Sequence, residues 1–468
     1  MSASDLHVVI LAAGQGTRMK STLPKVLHTI GGRPMLAHVL DTAAELGAAA
    51  CHVVHGHGAE QLQTWFGAAY RGKAKVRWVL QEPQLGTAHA VQQAMPGIPD
   101  AATVLVLYGD VPLVETETLR DLLAAAGKGA ALLAAQFDNP RGYGRILRDK
   151  RGSVARIVEE NDASPKQKSI REVNTGFFAV PAKRLKSWLK KIKNDNAKGE
   201  YYLTDIVALS VKDKLKVSAV TAPSTQEVMG VNDRAQLAEQ ERFYQRRKAA
   251  KLMQEGLHLA DPARFDLRGT LKHGRDCSID VGVVVAGDVE LGDNVSIGPY
   301  VILRNARLGS GTRVDACSVL DFVDAGRDCR IGPFARIRPE TKLADEVHIG
   351  NFVEVKKSSL GRGTKANHLA YIGDSTVGAR VNIGAGVITV NYDGAHKHQT
   401  VIGDDAFVGS DTQLVAPVKV GDGATIGAGS TITKNVPAGG LAIARAREQK
   451  HYPDWQRPRK STSTRADE

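Results

Sequence analysis

The sequence predicts two domains of different class: an α/β domain with a mostly parallel sheet, then a parallel β-helix. Three observations carry this. Up to about residue 230, short β-rich apolar runs alternate with Ala- and Leu-rich helical segments, and such alternation implies a parallel sheet covered by helices. Beyond Gly256, Ile402, Val408, Leu414, Val420, Ile426 and Ile432 follow one another at a spacing of six. That period belongs neither to a helix nor to a simple strand; it makes one flat side and one corner of a β-helix coil. The length, 468 residues, accommodates two or three domains at roughly 100–200 residues each.

Each element follows from its local pattern. Val8-Val9-Ile10-Leu11 is a strand leading into a Gly loop, and Cys51–Val54, Trp78–Leu80 and Val104–Tyr108 are further strands ended by Gly or Pro. Met35–Leu46 and Glu115–Ala126 read as helices between them. Leu185, Trp188, Leu189 and Ile192 form an apolar stripe at i, i+3, i+4, i+7 with Lys on the other face, which is core packing. Ala235–Glu255 reads as a helix capped by Asn232 or Asp233 and stopped by Gly256. With few large apolar residues, it is expected to be an exposed connector. Domains are therefore expected at 1–230 and 256–456, joined by a linker helix at 231–255 and followed by a flexible basic tail at 457–468. In the second half, Leu291, Ile297 and Leu303 keep the step of six, as do Ile331, Ile337, Leu343, Ile349 and Val355. Three hexapeptides close a coil, so Ile279–Ile432 makes roughly eight coils, a prism about 40 Å tall. The rhythm breaks at Leu360–Ile383, which holds His368 and Tyr371, and at Thr389–Thr400, which holds the loop Asn391-Tyr392-Asp393-Gly394. Ligand contacts are expected at those breaks.

Composition excludes several classes. Lys and Arg number 62 against 50 Asp and Glu, a net charge of 62 − 50 = +12, which either solubilises the surface or attracts phosphorylated ligands. Aromatic residues are only 5%, and with no RRM-like or zinc-finger signature, nucleic-acid binding is not expected. No apolar run approaches the ~18 residues of a membrane span. The opening MSASDLH lacks the basic segment of a signal peptide. Four cysteines without a CxxC pair fit reduced thiols in a cytoplasmic protein.

The first strand runs into Leu11-Ala12-Ala13-Gly14-Gln15-Gly16-Thr17-Arg18-Met19, followed by Pro24-Lys25. A Gly-rich turn lets backbone N–H groups approach a phosphate, and Arg18 and Lys25 supply fixed positive charge where a triphosphate would sit. It is not a Walker A loop, since no Gly-Lys-Ser/Thr occurs. Asp110 follows the strand Val104–Tyr108 at the carboxyl edge, where open α/β sheets bind ligands. There it is either a loop cap or a carboxylate ligand for Mg²⁺.

The string LxxGxGTRM followed by PK resembles the signature of the sugar-1-phosphate nucleotidyltransferases. Further blocks agree in order, among them Gln81–His89, Tyr108-Gly109-Asp110, Gly142–Ile146, Ile157–Glu159, Asn174-Thr175-Gly176, Gly199–Asp205 and Gly230-Val231-Asn232. Together with the hexapeptide half, the chain is similar over nearly its full length to the bacterial bifunctional uridylyltransferase/acetyltransferases of amino-sugar metabolism. The resemblance implies a Rossmann-like nucleotidyltransferase domain and a left-handed parallel β-helix assembled as a homotrimer. It implies acetylation of glucosamine-1-phosphate by acetyl-CoA, then transfer of UMP from UTP to N-acetylglucosamine-1-phosphate, giving UDP-N-acetylglucosamine for cell-wall and lipopolysaccharide precursors. Asp110 and Asn232 would hold Mg²⁺, with Arg18 and Lys25 as catalytic cations. Leu11, Ala12, Ala13, Gly14, Gln81, Gly86, Thr87, Tyr108 and Gly109 would bind the nucleotide, and Gly144, Glu159 and Asn174 the sugar. In the second domain His368 would be the general base. Arg338, Lys356, Tyr371 and Asn382 would bind the phosphorylated amino sugar, and Ala385, Asn391, Tyr392, Ser410, Ala428 and Arg445 would line the acetyl-CoA site. His368 and the NYDG loop separate this reading from a single-function nucleotidyltransferase whose β-helix only regulates.

Overall fold

The computed structural model describes residues 6–14, 16–56 and 59–445. The expected basic tail at 457–468 lies outside the described residues. The chain divides into two compact units, Met1–Leu252 with Asp266–Gly269, and Met253–Phe265 with Thr270–Glu468.

The first unit is built on a nine-stranded sheet, whose main path runs 218–221, 131–136, 172–181, 103–108, 6–11, 50–55 and 76–80. Alternating side chains feed two cores. Val8, Ile10, Leu105, Leu107 and Phe177 point into one, and Val9, Val106, Leu132, Phe178 and Trp188 into the other. A sheet buried on both faces requires such continuous apolar strands. The expected mostly parallel sheet departs at Glu172–Pro181, which runs antiparallel to 103–108, 131–136 and 144–148, and at the antiparallel pair Gly144–Arg148 and Val154–Val158. Asp149–Gly152 forms the turn between strands Gly144–Arg148 and Val154–Val158.

The helix Arg234–Gln254 corrects the sequence reading. It is not an exposed connector. Tyr244 is buried with Met19, Ile30, Met35, Leu113 and Val231, and Gly31 has no room for a Cβ beside the Tyr244 ring. Ala249 and Leu252 are buried too, and Leu237 and Phe243 pack against the Tyr244 cluster. The chain returns at Asp266–Gly269 to the same helix. There Leu267 N–H donates to Gln245 Oε1 at 2.7 Å, its carbonyl accepts from Gln245 Nε2 at 3.0 Å, and Arg242 pairs with Asp266 at 2.6 Å.

The second unit is a parallel β-helix. An 11-stranded sheet forms one face, and a 17-stranded sheet supplies the other two, bent at a corner. Every aliphatic of the six-step series is buried, from Leu291 at 5% to Val408 at 0% exposed. The coil is not uniformly eighteen residues, however. Ile331 pairs with Ile349 (349 − 331 = 18), but Ile349 pairs with Ala366 and Ala366 with Ile383, steps of 17. The supposed break at Leu360–Ile383 is therefore an unbroken pair of shorter coils with Ala366 in the aliphatic column. The second break is real: Ile383 pairs with Val408, a coil of 408 − 383 = 25 residues. Corners take left-handed backbone at non-glycine positions, as at Tyr300, Phe334, Phe352 and Leu369. The cysteines are free; Cys51, Cys277 and Cys329 are buried, and burial pushes the Cys51 thiol up to about 12. These are packed structural thiols.

Candidate active sites

In the first unit, the turn after the strand Leu6–Leu11 and the loop after Thr103–Tyr108 are stitched together. Gly109 N–H donates to the Leu11 carbonyl at 2.9 Å, and Val231 N–H to the Asp110 carbonyl at 2.9 Å. The second bond brings Asn232 beside Asp110 across 122 residues of sequence. Lys25 enters from a one-turn helix at Lys25–Leu27. Its Nζ donates to Asp110 Oδ2 and, at 3.3 Å, to Asn232 Oδ1, which also accepts from Arg18 Nη2 at 2.9 Å. Gly16 makes this approach possible, since it has φ +62° and a Cβ there would stand 2.7 Å from Lys25 Cβ. Asp233, not Asn232, caps the helix, accepting from Gln236 N–H at 2.9 Å. That leaves the Asn232 carboxamide oxygen to the cations.

Lys25 and Asp110 face a cavity of about 320 Å³ lined also by Leu11, Ala12, Ala13, Gly14, Gln81, Gly86, Thr87 and Tyr108. Arg18 and Asn232 are outside this lining; Arg18 donates to Asn232, and Asn232 is tied to the lining through Lys25. Gly86 has φ +112°, and a Cβ would strike Tyr201 backbone at 2.7 Å; Thr87 Oγ1 accepts from Leu203 N–H at 3.0 Å. Gln84 and Glu200 also line the cavity and were not expected there. Gln84 Nε2 donates to the Ala13 carbonyl at 2.7 Å and so clips the Gly loop.

The three expected sugar residues lie together. Asn174 is the strand partner of Gly144, and the bare α-carbon of Gly144 leaves space against Glu159. Burial raises the Glu159 carboxyl, while Thr204 Oγ1 donates to it at 3.0 Å. Asn174 Oδ1 and Tyr202 Oη are buried without a hydrogen-bond partner among the described residues. Orphaned buried polar atoms call for a polar ligand. Burial, then Glu159 and Asp110, push the Tyr108 hydroxyl up.

In the second unit, His368 ends the strand Lys365–His368 at an exposed corner. Its Nδ1 lies 3.0 Å from Asn351 Oδ1 in the coil before it. An amide oxygen only accepts, so Nδ1 carries the proton and Nε2 keeps a lone pair for a base's work. The same corner then stacks small residues. Gly386 N–H donates to the Leu369 carbonyl, Asp411 N–H to that of Ala385, and Gly429 N–H to that of Ser410. Ala385, Ser410 and Ala428 thus continue the His368 rung down the prism, and Arg445 Nη1 closes the series on the Ala428 carbonyl at 2.8 Å.

Tyr371, three residues past His368, opens the adjacent face, where Arg338, Lys356 and Asn391 gather. Arg338 pairs with Glu354 at 2.7 Å, and Asn391 Nδ2 donates to Tyr371 Oη at 3.3 Å and to Asp374. The hairpin at 391–399 folds back through a Tyr392–Lys397 bridge and brings Lys397 against Lys356, whose ammonium it holds below the usual lysine range. Two like charges in contact mark a place for an anion. Lys397 was not expected from sequence. Asn382 stands apart, on the face where it pairs with Lys365 and Phe407. Tyr392 is exposed, its hydroxyl spent on Gly394.

A Gly-loop α/β unit with paired cations and a carboxylate, followed by a hexapeptide β-helix, defines a nucleotidyltransferase joined to an acyltransferase. Residues 8–199 match the MobA-like NTP transferase domain, and 271–305 and 399–434 match the bacterial transferase hexapeptide repeat. The "Bifunctional protein GlmU" of Alkalilimnicola ehrlichii is 58% identical over 97% of this chain and 96% of its own. The proteins of that name from Aromatoleum aromaticum and Marinobacter nauticus are 55% and 54% identical, over 97% and 98% of this chain and 98% and 100% of theirs. The chain belongs to the bifunctional GlmU family. It is an enzyme with uridylyltransferase and acetyltransferase activities, the second on a left-handed parallel β-helix.

The first activity is divalent-metal dependent. The residues fit a cation: the Asp110 carboxylate and Asn232 amide oxygen converge on one point, where the Lys25 ammonium now stands. A hard cation takes such oxygens and completes its shell with water and phosphate. Among the described residues no helix is long and apolar enough to cross a membrane.

Proposed function

We propose that the N-terminal cavity binds UTP and N-acetylglucosamine-1-phosphate with Mg²⁺, and that the His368 corner acetylates glucosamine-1-phosphate from acetyl-CoA. One observation carries the first part: Lys25 Nζ is suspended between Asp110 and Asn232 at the mouth of the Gly loop. The sugar phosphate oxygen attacks the α-phosphorus of UTP, the bond to the leaving β-phosphate oxygen breaks, and pyrophosphate departs. Positioning and charge neutralisation are the protein's task. Arg18 and Lys25 neutralise phosphate oxygens, and Gly14 offers its backbone to the nucleotide. Asp110 and Asn232 would hold Mg²⁺, which supplies further charge compensation at the phosphates. Glu159, half-buried, and Asn174, buried with an unpartnered oxygen, receive sugar hydroxyls and amide.

For acetyl transfer, the neutral amine attacks the thioester carbonyl, His368 Nε2 takes its proton as the C–N bond forms, and the C–S bond breaks with the proton passed to sulfur, so that CoA leaves as thiol. Arg338, Lys356 and Lys397 bind the phosphate, with Tyr371 beside them. The small-residue ladder Ala385, Ser410 and Ala428 gives a long thin ligand a track ending at Arg445, which suits CoA phosphates. Tyr300, Phe334, Phe352 and Leu369 expose 57%, 48%, 56% and 60% of their surface along one corner. An exposed apolar ridge of this kind supports a homotrimer that covers it. A cytoplasmic location and two domains, with the helix after residue 230 counted in the first, complete the reading.

Paired variants test it. Asp110→Asn is expected to lower uridylyl transfer by about 10²-fold or more and spare acetyl transfer; His368→Ala is expected to do the reverse. Product identification by mass from glucosamine-1-phosphate, acetyl-CoA, UTP and Mg²⁺ reads both. Loss of both activities in either folded variant refutes the separation.

A further inference from the structure

We infer that His89 and Gln93 are positioning residues for base selection, because together with the Gly86 carbonyl they hold the Gln81 carboxamide with its oxygen offered to the nucleotide cavity. The inference rests on the reading of that cavity as the nucleotide site. Gln81 is buried, 4% exposed, and lines the cavity. Its Nε2 lies 3.0 Å from the Gly86 carbonyl oxygen and 3.3 Å from His89 Nδ1, whereas its Oε1 has no hydrogen-bond partner among the described residues.

The polarity follows from the one group that cannot change. A backbone carbonyl only accepts, so the Gly86 end obliges Gln81 to present its NH₂. The second N–H of that group then points at His89 Nδ1, which must be the unprotonated nitrogen, and the proton sits on Nε2. Gln93 follows His89 by one turn of the helix Thr87–Ala94, with its Nε2 placed 3.0 Å from His89 Nε2. Two donors cannot share that contact, so the network requires the Gln93 amide turned end for end, its oxygen receiving the proton. Gln81 Oε1 is left to the ligand as an acceptor. Uracil offers an N3–H donor to it. Cytosine offers a lone pair at N3, and two acceptors facing each other in a buried site exclude it.

The tautomer is read directly from the ¹⁵N resonances of His89 in histidine-labelled protein, assigned by their loss in His89→Leu. An unprotonated Nδ1 is expected, and a protonated Nδ1 overturns the inference. Selectivity is read as the ratio of kcat/KM for UTP to that for CTP, with acetyl transfer as the control for folding. Gln93→Glu, an acceptor only, is expected to hold the ratio within about twofold; Gln93→Lys, a donor only, forces the His89 proton to Nδ1 and is expected to lower it about tenfold or more. Equal ratios in the two variants overturn the proposal. Gln81→Ala separates the levels. If it leaves the KM for UTP unchanged, the reading of the cavity fails. If it raises that KM while Gln93→Lys keeps the wild-type ratio, only the positioning role fails.

Discussion

His7 and His52 sit on adjacent strands of the N-terminal sheet, 6% and 1% exposed, with Nδ1 and Nε2 3.0 Å apart. Burial, the neighbouring His7 and Arg77 hold His52 down to about 4, and burial lowers His7 as well. In the unfolded chain both titrate near 6.5. Between pH 6.5 and 4 the unfolded chain therefore binds more protons than the folded one, and stability falls as pH drops through that window. Denaturant titrations of the full chain are expected to show the first transition moving to lower denaturant from pH 7 to pH 5, and less so in His52→Leu. A wild-type midpoint that stays level across this range contradicts the pairing. Sequence gave no sign of this contact, because two histidines 45 residues apart meet only through strand register. By contrast Lys25, Asp110 and Asn232 were legible as single residues within motifs. Their meeting was implied by the family resemblance alone; the Val231–Asp110 backbone bond that brings them together had no signal in the sequence.

Among elements, the hairpin at 391–399 shows how a loop is turned into a binding device. Asp393 accepts from Ala395 and His396 N–H at 2.8 and 2.6 Å and pairs with His398 at 2.7 Å. This fastens the loop tip and aims Lys397 at Lys356. Lys397→Ala is expected to raise the KM for glucosamine-1-phosphate in acetyl transfer about tenfold, at the level of one charge-assisted hydrogen bond, and to leave uridylyl transfer alone. Steady-state kinetics of both reactions decide this; an unchanged KM removes Lys397 from the site. The hexapeptide columns were legible because an inward aliphatic every six residues is a strong periodic signal. Coil length was not, for shortening a corner by one residue leaves each column buried and merely puts Ala366 where Ile or Val was expected. The helix Arg234–Gln254 was misjudged for a related reason: its buried side chains are Gln240, Tyr244, Gln245, Ala249 and Leu252, too few large apolar residues to announce a stripe.

For the molecule as a whole, the division of the chain is not a single cut. Asp266–Gly269 belongs with the first unit, and both hydrogen bonds of the buried Gln245 carboxamide go to Leu267. A fragment ending at Gly256 strands that amide, whereas one ending at Lys272 keeps its partner. The shorter fragment is expected to unfold at a lower temperature, on the order of 1–3 kcal/mol less stable, while both transfer uridylyl groups. Equal melting curves would show that the return segment contributes nothing. The extended coil has a different consequence. Its 25 residues exceed an 18-residue coil by 25 − 18 = 7, yet the coils flanking it stay in register, Lys365 to Asn382 before it and Phe407 to Thr425 after it. Each storey of the tower contacts only the storeys above and below it. Lengthening one balcony leaves the rest of the building standing, so ligand preference at this corner can drift by insertion or deletion without a fold having to be invented again.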